Sequence, residues 1–160
     1  MGAERLPGAV FGVPRLLLRL EGAALFFGAA FFYWRLEGAW LWFAVLFLTP
    51  DLSFLAYLVS PWAGAIVYDA FHATLGPLVL LALTAWLGSP KGEDIALIWL
   101  AHVGFDRALG YGLKYATAFG DTHLGRIGKQ TQTGSPRLFG LAIGPPGAAS
   151  SFAPKRRRPI

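Results

Sequence analysis

The sequence predicts an all-α fold, a four-helix transmembrane bundle running up-down-up-down, followed by a disordered C-terminal tail on the cytoplasmic side. Three observations predict it. Of the 160 residues, 55% are hydrophobic and only 14% charged, where a soluble domain carries about a quarter charged residues; the mean hydropathy is +0.51. Four segments approach the roughly 20 mainly apolar residues that a spanning helix needs. The stretches between them are very short, which forces antiparallel neighbours.

The first span runs from about Leu16 to Trp34, LLLRLEGAALFFGAAFFYW. It is too long for the apolar region of a cleavable signal, about 7–15 residues, and no A-x-A-like site closes it, so it is expected to stay in the protein. The second runs from about Trp40 to Val59 and contains TPDLS, where Pro50 breaks the backbone ladder. The third covers about Trp62 to Leu87. It is predicted to bend at Gly76-Pro77, because Pro77 cannot donate to the carbonyl four residues back. The fourth runs from about Ile95 to Leu113. Residues 1–129 thus form the membrane domain.

Lys and Arg set the direction. Arg5, Arg15 and Arg19 precede or open the first span, and Lys114, Arg126 and Lys129 follow the fourth; the outer loops hold only Arg35 and Lys91. Both termini are therefore expected in the cytoplasm, with Trp34, Trp40, Trp42 and Trp86 in an outer aromatic belt. Residues 130–160 are rich in Gly, Pro and Ser and read as a flexible basic tail. Its run Lys155 to Arg158 suits anionic lipid headgroups.

Composition also excludes. With no cysteine, disulfides and thiolate metal sites are impossible. The net charge of +5 comes from the two ends and not from a basic face, so nucleic acid is not an expected partner. The expected partner is the bilayer.

Within the spans the ionisable groups gather at one depth. Counted from the cytoplasmic ends at about 1.5 Å per residue, Glu21 lies roughly 8 Å in, Asp106 roughly 10 Å, Asp51 and Asp69 roughly 11–12 Å, and His72 and His102 roughly 15–16 Å. His102 and Asp106 are four residues apart and Asp69 and His72 three apart, so each pair shares one face of its helix. Charged groups in lipid are costly and need a partner or a task. Four carboxylates face one clearly buried cation, Arg107. Three readings follow. The layer is a structural polar network, a site for a divalent cation such as zinc, manganese or iron, or a proton or ion relay. In the cation reading His72, His102, Asp106 and Asp69 are the candidate ligands, Asp51 is a ligand or general base, and Arg107 stabilises charge. Just beyond the layer, His123, Arg126 and Lys129 are candidate phosphate contacts, Arg being suited to that geometry.

The motifs LLRLEG, TPDLS and YDAFH, and above all AHVGFDRALGYGLKY followed by DTHLGRIGK, resemble a small bacterial integral-membrane family, family 4260 of the domains of unknown function, over about Arg15 to Lys129. The family's third-span motif usually has Asn where this chain has Asp69, whereas His72, His102, Asp106 and His123 match. The resemblance implies a bacterial inner-membrane location and carries no activity. In residue types alone the layer is similar to the sites of membrane-bound metal-dependent hydrolases. Metal-assisted hydrolysis of a lipid or lipid-linked phosphate is accordingly one expectation. A non-catalytic accessory subunit, whose polar layer fixes helix packing, is its rival.

Overall fold

The computed structural model describes residues 8–127. They fall within one compact unit, Met1–Gly128; the tail expected at 130–160 lies outside the described residues. The fold is mostly helical and is built from four rods, two of them interrupted. The first is α1 (Gly12–Arg35). The second joins α2 (Trp40–Phe47) to a 3₁₀ segment (Thr49–Leu58), the third joins α3 (Pro61–His72) to α4 (Leu75–Trp86), and the fourth is α5 (Pro90–Leu109).

Three rods, Gly12–Arg35, Trp40–Leu58 and Pro61–Trp86, are long and apolar enough to cross a membrane. Their outward faces are oily: Leu58, Val59 and Trp86 are more than four-fifths exposed. Apolar surface on that scale suits lipid and not water. The fourth rod differs in kind. α5 packs against α1, α2 and α4, and Ala96, Leu97, Ile98, Leu100, Ala101, His102, Val103 and Gly104 are all buried. The burial of these eight residues places the middle of α5 in the core. Because its neighbours are protein, it can carry polar groups that a lipid-facing helix could not.

The α1–α5 crossing is close because both helices present glycine there. A Cβ on Gly22 would fall 2.8 Å from the Gly104 carbonyl oxygen, and one on Gly104 would fall 2.6 Å from the Phe26 nitrogen. Small residues at such a contact let backbones approach where no hydrophobic effect drives helices together.

Both interruptions have a local cause, and both place site residues. Pro50 has no N–H to offer the Leu46 carbonyl. The Thr49 hydroxyl donates to that oxygen instead, at 2.6 Å, and the chain tightens into the 3₁₀ turn that carries Asp51. In the third rod the helix stops at His72 and Ala73 is extended, with ψ 134°. The bend expected at Gly76-Pro77 thus lies three residues earlier, and Pro77 sits in the first turn of α4, where a missing N–H costs nothing. Pro77→Ala should therefore change the melting temperature of the purified protein by little; a gain of many degrees would show that the proline is strained. The Trp99 indole donates to the Phe71 carbonyl at 2.6 Å, satisfying a carbonyl freed by the break and tying α3 to α5.

The fourth helix starts at Pro90 and ends at Leu109, displaced from the expected Ile95 to Leu113. Pro90 suits a first helical position. Gly110, at φ 96°, makes the left-handed C-terminal cap. Beyond it the chain forms a small hairpin, β1 (Asp121–Thr122) paired antiparallel with β2 (Gly125–Arg126), which a helix-only reading missed. Arg126 Nε donates to Asp121 Oδ1 at 2.7 Å and Thr117 Oγ1 to Asp121 Oδ2 at 2.8 Å. The Arg126 bond holds the Asp121 carboxyl below its ordinary range. A depressed folded pKa contributes stability that is complete above the unfolded value, about pH 3.9 for Asp, and lost as pH falls through the folded one. The hairpin should loosen on acidification, read from the NMR shifts of Thr122 to Arg126, and Asp121→Asn should remove that acid transition.

Candidate metal centre

Four side chains from three elements meet. Asp51 comes from the first turn of the 3₁₀ segment, His72 from the last residue of α3, and His102 and Asp106 from successive turns of α5. One ligand atom from each lies within 4.8 Å of every other. His72 Nε2 is 3.1 Å from His102 Nε2, 3.6 Å from Asp51 Oδ1 and 3.5 Å from Asp106 Oδ2. His102 Nε2 is 3.6 Å from Asp51 Oδ1 and 3.9 Å from Asp106 Oδ2. A tetrahedral ion with ligands at about 2.0–2.1 Å has ligand–ligand edges of about 3.3–3.4 Å. The one His–His separation lies just below that value and the four His–Asp separations, 3.5–3.9 Å, lie somewhat above it, as an open site's would.

Protonation sharpens the point. His72 Nδ1 lies 2.9 Å from the Tyr68 carbonyl oxygen, which can only accept, so Nδ1 carries the proton and neutral His72 offers a lone pair at Nε2. Two carboxylate oxygens offer more lone pairs. With both carboxylates ionised, as metal ligation requires, only His102 Nε2 is left to supply a proton, and it can serve one neighbour. At least three of the four converging atoms are thus acceptors aimed at one point, an arrangement that attracts a cation. The imidazoles are deeply buried, their side chains 4% and 2% exposed, whereas Asp106 is 17% and Asp51 37% exposed. The group therefore opens on the Asp51 side.

Tyr68 supports two of these residues. Its ring stacks on His72 with centroids 3.7 Å apart, and its hydroxyl donates to Asp106 Oδ2 at 3.3 Å. The Phe47 ring packs edge-on against His102, 5.1 Å between centroids. His102 Nδ1 is buried with no hydrogen-bond partner among the described residues.

Of the residues nominated from sequence, His72, His102, Asp106 and Asp51 are brought together. Asp69 is not: its Oδ1 accepts the Lys114 N–H at 2.7 Å, because a three-residue step along α3 points it at the chain leaving α5. Arg107 packs its Cβ against Gly22 of α1 and its electrostatic partner is Glu21; it makes no ion pair with the four among the described residues. The cation nearer to them is Lys114, which interacts with Asp106 and Asp69. Burial draws the Lys114 ammonium below its ordinary pKa, the two carboxylates opposing.

The phosphate contacts expected from sequence are otherwise engaged. Arg126 is paired with Asp121, and Lys129 lies outside the described residues. His123 Nδ1 accepts the Leu113 N–H at 2.8 Å, and burial lowers its pKa, favouring the neutral acceptor. Tyr68 was missed as a site residue, whereas Lys114 is one of the cations, with Arg107 and Arg19, that the polar-network reading of the sequence offers to the carboxylates. The one available signal for Tyr68 was the four-residue step from Tyr68 to His72 within YDAFH.

Residues 15–127 match the family described as Domain of unknown function (DUF4260). The chain belongs to DUF4260. No curated protein and no solved structure matches it. The DUF4260 match spans all four converging residues and the hairpin, so the whole described site lies inside the family region.

Proposed function

We propose that this DUF4260 protein is an integral protein of the bacterial inner membrane that binds a divalent cation, zinc or manganese, through His72, His102 and Asp106. Asp51 acts as fourth ligand or as general base on the more open side. The observation that carries the reading is the convergence of four ligand atoms within 4.8 Å of one another, at edges suited to a tetrahedral ion.

Charge supports a divalent ion in particular. Glu21 and Arg107 offset one another. Asp51, Asp69 and Asp106 remain against Lys114, which leaves two negative charges when the carboxylates are ionised, as metal ligation requires. A bound divalent cation lowers the pKa of water and polarises a phosphoryl oxygen. His72 and His102 hold the buried side, Asp51 accepts a proton at the opening, and Lys114 adds positive charge beneath Asp106. The reading extends to hydrolysis of a lipid or lipid-linked phosphate. Support for it is a polar group inside an apolar helical bundle, reached from the side of a half-exposed carboxylate. Elemental analysis of detergent-purified protein should give one zinc or manganese per chain.

Lys and Arg bias favours both termini in the cytoplasm, with α5 as the fourth crossing; at 20 residues it is about 30 Å long. Reporters fused after Gly88 and at the C-terminus should land on opposite sides. The same side for both would remove the orientation. In that orientation the basic run Lys155 to Arg158 has the charge to attract anionic headgroups.

One observation favours a second reading. Among the described residues, His102 Nδ1 lacks the outer hydrogen bond that metal-bound histidines almost always make. A metal-free His102-to-His72 hydrogen bond needs none, and the cluster then fixes helix packing in a non-catalytic accessory subunit.

A further inference from the structure

We infer that Tyr68 is a positioning residue for the metal centre, holding ligands from two helices in register at once. The inference rests on the cation reading above and goes beyond it. Tyr68 engages His72 twice and Asp106 once. Its carbonyl accepts the His72 Nδ1 proton at 2.9 Å, which selects the tautomer whose Nε2 lone pair faces the site. Its ring lies 12° from parallel with the imidazole, which fixes the rotation of that plane. Its hydroxyl, reaching across to α5, donates to Asp106 Oδ2. That 3.3 Å contact is longer than the roughly 2.7–2.8 Å of a strong O–H···O bond, and the same oxygen is shared with His72. Spacing makes this possible, since residues four apart on a helix lie one above the other.

Tyr68 is itself clamped. It is 1% exposed, its ring stacks against Phe54 with centroids 5.1 Å apart, and the Lys114 ammonium stands 4.8 Å from its centroid. Lys114 Nζ in turn donates to the Phe119 carbonyl at 2.9 Å. A cation over a phenol face draws electron density from the ring and makes its hydroxyl a better donor. The segment after α5 therefore acts on the centre through Tyr68 as well as through the charge of Lys114 on Asp106.

The test is a cobalt(II) titration of the full chain in detergent, comparing wild type with Tyr68→Phe. The variant keeps ring and carbonyl and loses only the hydroxyl. Cobalt affinity should fall about 10–100-fold, the usual cost of losing an outer hydrogen bond, and the visible cobalt bands should shift, while the melting temperature of metal-free protein stays close to wild type. Wild-type affinity and bands in the variant would overturn the inference alone. Failure of wild type to bind cobalt would overturn the cation reading and this inference together. If Tyr68→Phe is not recovered folded, 3-fluorotyrosine at position 68 keeps the shape and strengthens the donor. Shifted cobalt bands then support the role, and unchanged bands overturn it.

Discussion

His102→Gln is expected to abolish stoichiometric metal retention while leaving membrane insertion intact, the largest functional effect expected of a single substitution. His102 is buried at the middle of the central helix, and its Nε2 lies within 4 Å of all three partners. Gln is polar and of similar reach but offers no imidazole nitrogen, so under the cation proposal the ion would lose one of its two buried nitrogen ligands. A ligand present at 100 times its Kd stabilises the folded state by about 2.7 kcal/mol. Wild-type protein should therefore melt higher on addition of zinc or manganese, and the variant should not respond. Under the packing reading the same change costs only on the order of 1 kcal/mol, as interhelical hydrogen bonds in membranes do, and neither protein responds to metal. Purified wild type that never carries metal, and whose melting ignores it, would sink the enzyme proposal and leave the packing network.

The largest structural effect is expected at the α1–α5 crossing. Gly104→Val sets a Cβ 2.6 Å from the Phe26 nitrogen and 2.8 Å from the Gly22 carbonyl. Both are backbone atoms of a helix that cannot yield locally. The helices must separate, which opens the core around Ala101 and Ala29 and displaces His102 and Asp106 with it. Overpacking of this kind costs about 1–3 kcal/mol and occasionally more, and contact with two backbone atoms puts this site at the upper end. Gly28→Ala is the control: nothing lies within 4 Å of its added Cβ, and Ala favours a helix by up to about 1 kcal/mol over Gly. Unfolding in detergent should show the first strongly destabilised and the second neutral or slightly stabilised. Equal stability of the two would mean that the helices do not meet at these glycines.

The resemblance between the two predictions is physical. α5 is the helix about which the other rods gather, so a change in its packing is also a change in the polar group it carries. Loss of metal in Gly104→Val alone would not separate the two effects, whereas loss in His102→Gln at unchanged metal-free stability would.

What the sequence by itself determined follows from period, length and punctuation. Apolar runs of near-spanning length announced four rods, Pro50 and Pro77 announced interruptions in two of them, and the four-residue step from His102 to Asp106 put both on one helix face. These are local properties, written within a turn or two of the chain. That Asp51, His72, His102 and Asp106 share one depth was also legible, because rise per residue turns position into height. Depth does not determine azimuth. Which way each group faces depends on how the rods rotate about their axes, and on where the third rod breaks. Tertiary structure alone decided that Asp69 turns to the Lys114 N–H while His72 turns inward, and that Arg107 faces Glu21. It alone made α5 the interior helix and not a fourth lipid-facing one, since burial by neighbours is not written in a helix's own hydropathy. And it alone brought Lys114, 46 residues beyond Tyr68 in the chain, over that ring, because the turn at Gly110 sends the backbone back across the end of the bundle.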